Sequence, residues 1–129
     1  MGHTCGAPDG WRARVGKRVS DYVIRPLTPR LMDDLGAVLQ GSWGRGCWCM
    51  FPRLTAAGER ALPGEGNMSA RRREAMTALA RRRRAPGLLA FEGADAVGWI
   101  AVAPRPELSR IASSRATPAV DDEAVWVIP

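Results

Sequence analysis

Leu88-Leu89-Ala90-Phe91-Glu92, then Gly93-Ala94-Asp95, then Ala96-Val97-Gly98-Trp99-Ile100-Ala101-Val102 is the stretch of this chain that decides its fold. Two apolar runs of strand length flank a short turn containing glycine, the pattern of a β-hairpin. Both runs are apolar at successive positions, so the hairpin is expected in a sheet covered on two sides. Pro86 and Gly87 precede it, and Pro104 and Pro106 are expected to break the second strand.

Upstream, helical spacing takes over. Ser69 is placed to cap a helix whose apolar face is Ala75, Met76, Leu79 and Ala80. Arg81 to Arg84 follow at its negative end, where cations are favoured. Earlier, Tyr22-Val23-Ile24-Arg25-Pro26 reads as a short strand closed by a proline that cannot donate to a ladder. Thr28 offers a cap and Pro29 suits the first helical position. Leu31, Leu35, Val38 and Leu39 then form an apolar stripe, with Asp33 and Asp34 near the positive end of the dipole and Gly41 as the stop. Between the helices, Gly41 to Asn67 is irregular, with six glycines and two prolines. That is long for a connector, and long structured loops are often functional. Downstream, Glu107 to Ala112 reads as a helical turn and Val125-Trp126-Val127-Ile128 as a last strand. Residues 1–20 carry glycine, proline and scattered arginines without a period, and are expected to form a flexible tail. Residues 21–129 form the domain.

The composition narrows the class. The chain has 129 residues, 46% hydrophobic and 25% charged, which suits one globular domain rather than a disordered chain. No apolar run approaches the roughly 20 residues of a membrane helix, and the basic start lacks the apolar stretch of a secretory signal. Cys5, Cys47 and Cys49 are too few for a disulfide scaffold, so a reducing cytoplasm is expected. The net charge is +6, and the segment from Ser69 to Arg84, with seven arginines and Glu74, holds all of it. Such a run serves most often as a solvated helix face, with nucleic acid or an acidic partner as the alternative role. Aromatic residues for base stacking are absent from that helix, so nucleic acid is not the expected partner.

Several motifs resolve into modest roles. Gly41-Ser42-Trp43-Gly44-Arg45-Gly46 spells a glycine loop, but it follows a helix instead of opening one, so it does not read as a phosphate cradle. Cys47-Trp48-Cys49 with His3 and Cys5 would make a zinc set only by drawing on the tail; two packing cysteines are the simpler account, and no metal is expected. His3 is the sole histidine, which disfavours Ser–His–Asp and Cys–His catalysis. General acid or base work would fall to carboxylates, tyrosine or water. The sole tyrosine, Tyr22, reads as structural.

The order strand–helix–helix–hairpin–strand resembles the N-terminal part of the GNAT superfamily of N-acetyltransferases. The resemblance lies in Tyr22-Val23-Ile24-Arg25-Pro26-Leu27 with its capped helix, Cys47-Trp48-Cys49-Met50, Gly64-Glu65-Gly66-Asn67, Pro86 to Phe91, Val97 to Arg105 and Asp121 to Trp126, and spans about Tyr22 to Ile128. It implies an α+β fold, a mixed or antiparallel sheet with helices on both faces. It also implies acetyl-CoA as donor and a small-molecule or peptide amine as acceptor. Trp43, Cys47, Trp48, Cys49, Met50, Arg53 and Glu65 would border the acceptor, and Val127 and Ile128 would start the donor-side strand. In that family the fourth strand leads into a Q/R-x-x-G-x-G/A loop whose N–H groups hold the coenzyme pyrophosphate. This sequence stops at Pro129, before such a loop, so the expectation is a truncated domain with little activity alone. The missing half would have to be supplied elsewhere. Self-association through the exposed Val125–Ile128 edge is expected as well.

Overall fold

Strand β1 (Val23–Pro26) pairs antiparallel with β2 (Gly87–Glu92), and β2 pairs antiparallel with β3 (Asp95–Ala101). The computed structural model describes residues 18–40 and 46–129; the expected tail up to residue 17, with His3 and Cys5, lies outside the described residues. Val19–Asp21 forms one 3-10 turn, and the Arg18 N–H donates to Asp21 Oδ2 (2.8 Å).

The hairpin is tighter than its sequence implied. Asp95 pairs with Glu92, leaving the two-residue loop Gly93-Ala94. Gly93 has φ +60° and Ala94 does not, as a type II′ turn requires of its first central residue. The ladder then shifts: Ala90 faces Gly98 while Phe91 faces Ala96, so Val97 is an inserted bulge residue. The bulge lets Ala96 and Trp99, three apart, both pack against the core. Val97 instead joins Tyr22, Ile24, Ala90 and Gly98 around a shallow depression.

Two longer helices join β1 to β2. A 3-10 turn, Pro29–Leu31, runs into α1 (Met32–Leu39). Thr28 is extended there, but its side chain makes no capping bond. The expected irregular loop contains another 3-10 turn, Phe51–Arg53, and the short helix α2 (Ala56–Arg60), capped by Thr55 Oγ1 on the Gly58 N–H (3.1 Å). Helix α3 (Met68–Ala80) starts one residue before the expected cap. Asn67 Oδ1 accepts the Ala70 N–H (2.9 Å), which frees Ser69 for another partner. Gly41, the expected stop of α1, lies outside the described residues.

The core is one cluster on one face of the sheet. Leu35 and Leu39 of α1 and Met76 and Ala80 of α3 meet Leu89 and Phe91 of β2, with Leu27, Met32 and Met50 filling between. The alternation along β2 reports the same asymmetry: Leu89 is fully buried while Leu88 is 38% exposed. The expectation of helices on both faces is therefore corrected. Among the described residues both longer helices share the Leu89–Phe91 face, and Ile24, Leu88 and Ile100 stand exposed on the other. They border an apolar trough of about 410 Å³, floored by Ala90 and Gly98.

Beyond β3 the chain does not break at Pro104. Val102 donates its N–H to Pro86 O (3.0 Å), and Ala103–Pro104 continues as β4, antiparallel to β5 (Trp126–Val127). Arg105 N–H to Val125 O (3.1 Å) extends this ladder past the proline, which has no donor of its own. A 3-10 turn, Arg105–Glu107, and helix α4 (Ser109–Ala112) follow, with Leu108 fully buried between them. The fold is thus mixed α+β with antiparallel sheets. No helix among the described residues is long and apolar enough to cross a membrane.

A Cβ placed on Gly87 would run into Ile100 O and the Trp99 ring, whereas one on Gly93 would meet nothing within 4 Å. Gly87→Ala is expected to cost about 1–3 kcal/mol through overpacking. Gly93→Ala should cost only the strain of a positive φ, about 1 kcal/mol. Urea midpoints of the two variants check this ordering, and a larger shift for Gly93→Ala would overturn it.

Candidate functional site

Cys47 to Arg53 is the segment on which the sequence places most of its candidate residues, and its backbone is unusual. Trp48 has φ +53° and Cys49 φ +56°. Met50 N–H closes the turn on Cys47 O (3.0 Å). Positive φ at both central residues is the type I′ form, which usually takes Asn-Gly. Trp and Cys there carry strain of about 1–3 kcal/mol each, so the surroundings must hold them.

They do so through both side chains. The Trp48 indole N–H donates to Ser69 Oγ (3.2 Å), the hydroxyl released by Asn67. The Arg73 guanidinium lies 5.3 Å from the centroid of the Trp48 ring. The ring edge presses so close to Gly36 of α1 that a Cβ there would stand 3.1 Å from it. Cys49 Sγ accepts the Trp99 indole N–H (3.0 Å), tying the turn to β3. Met50 drops into the core, 4% exposed.

Arg53 completes the segment and is itself buried, 7% exposed. Its guanidinium donates to Pro86 O (3.0 Å) and Val102 O (3.5 Å), the two chain ends that enter and leave the hairpin. Glu107 stands 3.9 Å away as counter-charge. Burial pulls the Arg53 pKa down from its ordinary value, and Glu107 holds it up. Its Nε has no partner among the described residues.

The remaining candidates are placed differently. Glu65 is exposed between Gly64 and Gly66, both at positive φ, and makes no hydrogen bond or ion pair among the described residues. Trp43 lies outside the described residues. Val127 is half-buried in β5 and Ile128, next to it, is 65% exposed. Thus Cys47, Trp48, Cys49, Met50 and Arg53 are brought together with Ser69, Arg73 and Trp99, and Glu65 is not joined to them. Among the described residues no group of three or more His, Cys, Asp or Glu could hold a metal ion.

The arginine segment is exposed from Arg81 to Arg84, as a solvated face would be, and several of its members also pair with carboxylates of other elements. Arg72 binds Glu59 (3.1 Å) and donates to Gly46 O (3.1 Å). Arg73 pairs with Asp33 (2.7 Å). Glu59 also faces Arg110 (3.9 Å), and Glu107 gathers Arg53, Arg82 and Arg84. Glu59 and Glu107 were the signal available in the sequence: isolated acids that long arginine side chains can reach from other elements.

No protein-family profile, curated protein or solved structure matches the chain.

Cys49 is a packed thiol, half-buried and bonded to the Trp99 indole. Burial lifts the Cys49 pKa above its ordinary 9.0; the Trp99 N–H pulls the other way and is outweighed. The folded chain therefore holds this proton more tightly than the unfolded chain does. The associated stability is full below the ordinary thiol pKa and falls as pH climbs from there through the raised folded-state value. Denaturation followed upward from about pH 8.5 should show that decline. Cys49→Ser, which still accepts the indole N–H, should flatten it. An equal decline in the variant would contradict the assignment.

Proposed function

We propose that this chain is an acyltransferase domain of the GNAT type, which takes acetyl-CoA as donor and an amine as acceptor. The observation that carries the reading is the path of the chain. The first strand crosses to the second through two longer helices on one face of the sheet, and the second and third form a bulged antiparallel hairpin. After Val102 a short separate strand, β4, pairs antiparallel with β5 in a second, two-stranded sheet. This succession supports the resemblance carried by Cys47-Trp48-Cys49-Met50 and by the hairpin.

In this reading the Cys47–Arg53 segment forms a stiff wall on the acceptor side, and the exposed Glu65 borders the same acceptor without contacting that wall among the described residues. Trp48, Cys49 and Arg53 hold the wall in place and do not touch reacting atoms. Acetyl-CoA is a co-substrate whose pyrophosphate would need convergent N–H donors at a helix N-terminus. Among the described residues no helix follows β5, so none is assigned to the donor and no step is derived through it. The rival role of Arg71 to Arg84 as a nucleic-acid stripe loses support, because Arg72, Arg73, Arg82 and Arg84 are paired with carboxylates of the same chain.

The test is thiol release from acetyl-CoA by the complete expressed reading frame, with polyamines, aminoglycosides and peptide N-termini as acceptors. Reading the codons after Pro129 for a Q/R-x-x-G-x-G/A segment accompanies it. Glu65→Gln is expected to raise the KM for the amine with the melting temperature unchanged, since Glu65 makes no bond among the described residues. Absence of thiol release with every amine, together with absence of acetyl-CoA binding by calorimetry, would overturn the reading.

A further inference from the structure

Four arginines in a row leave the C-terminus of α3, and the structure treats them unequally. Arg81 reaches back to Glu74 (3.8 Å). Arg82 lays both terminal nitrogens on Glu107, at 3.5 and 3.3 Å. Arg84 gives that carboxylate one nitrogen (3.3 Å), and its guanidinium lies 5.0 Å from the centroid of the Trp126 ring. Arg53 approaches the same carboxylate from within the fold, at 3.9 Å. Arg83 is exposed and has no hydrogen bond or ion pair among the described residues.

The unpaired Arg83 follows Arg82 in the chain, and around Glu107 the guanidiniums of Arg53, Arg82 and Arg84 face a single carboxylate, a local excess of two positive charges. The negative end of the α3 dipole offsets only about half a charge of it. Beside this cluster is a depression of about 530 Å³, lined among the described residues by Arg82, Arg83 and Arg84. The arrangement is also prepared in advance. Glu107 fixes Arg82 and one edge of Arg84, and Trp126 supports the plane of Arg84, so the remaining Arg84 donors and all of Arg83 are left for a ligand. A rigid fork of N–H groups matches phosphate oxygens in pairs.

We propose that this depression binds the polyphosphate group of a small molecule, with Arg83 and Arg84 donating to phosphate oxygens and Arg82 adding charge. A small ligand is favoured over a polynucleotide by the distribution of charge. Upstream, Arg72 and Arg73 are engaged by Glu59 and Asp33, so of the first arginine cluster of α3 Arg71 alone is without an ion pair among the described residues, and most of the free charge sits beside Glu107. The proposal does not rest on the acyl-transfer reading, and its test does not involve acetyl-CoA.

The experiment is calorimetric titration of the whole chain with inorganic tripolyphosphate at low salt, in parallel with thermal melts. Saturable one-to-one binding is expected. Arg83→Gln should weaken it roughly fivefold or more without moving the melting temperature, since Arg83 makes no internal bond. Glu107→Gln should move the two readouts in opposite directions. It removes a negative charge beside the ligand and tightens binding, and it strips Arg53 of its counter-charge and lowers the melting temperature. Binding that is absent, or that survives Arg83→Gln unchanged, overturns the proposal. So does tighter binding to a short DNA duplex that grows with duplex length, or sedimentation with phosphoinositide vesicles without tripolyphosphate binding.

Discussion

The buried guanidinium of Arg53 is the constraint on which the rest of this structure hangs. The hairpin enters at Pro86 and leaves at Val102, and Arg53 donates to the carbonyl of each. Pro86 O also accepts the Val102 N–H, so one carbonyl serves the ladder and the clasp together. Removing a guanidinium from water costs several kcal/mol unless charge and hydrogen bonds compensate. Here the compensation is shared among Pro86 O, Val102 O and Glu107, three groups from three parts of the chain. Those parts are therefore fixed relative to the loop that carries Arg53. Because Glu107 is also held by Arg82 and Arg84, the constraint reaches the end of α3 and the surface beside it.

The strained turn before Arg53 follows from the same clasp. Residues 47 to 50 must turn back sharply enough to bring Met50 into the core and Arg53 beneath the hairpin ends. Trp48 and Cys49 accept a left-handed backbone because both side chains find partners, one on α3 and one on β3. A sequence chosen for the backbone alone would place Asn and Gly there and lose both ties. The turn gives up local ease for tertiary contact, and glycine at position 36 yields the room that the indole needs.

The main elements could be read from the chain because their periods are strong. The hairpin, the Leu35–Leu39 stripe and the Met76–Ala80 face all lie where alternation or helical spacing puts them. What escaped reading involved a single residue or a distant partner. Asn67 and Ser69 are both good caps, and only the Trp48 indole decides which is free. The bulge at Val97 shows no composition signal, since alanine, valine and glycine suit either face. Burial of Arg53 could not be inferred from an isolated Phe-Pro-Arg, because its acceptors are backbone carbonyls far along the chain. The pairing of Arg72, Arg73, Arg82 and Arg84 has no local signal, since Asp33, Glu59 and Glu107 sit on other elements. Of the candidate site, the Cys-Trp-Cys-Met loop was visible as a place, but its role as a brace between α3 and β3 was not.

The bulge bears on how this hairpin can change length. Phe91 faces Ala96 and Ala90 faces Gly98, so the ladder on either side is already in step without Val97. Losing that one codon would leave Ala96 and Trp99 on the core side and close the ladder into a regular one. It would take away a side chain that contributes only to the shallow outer depression. Elsewhere in β2 or β3 a one-residue deletion would turn every following side chain to the opposite face. The hairpin thus contains one position where the reading frame of inside and outside is slack, and length variation among descendants of this sequence should collect there.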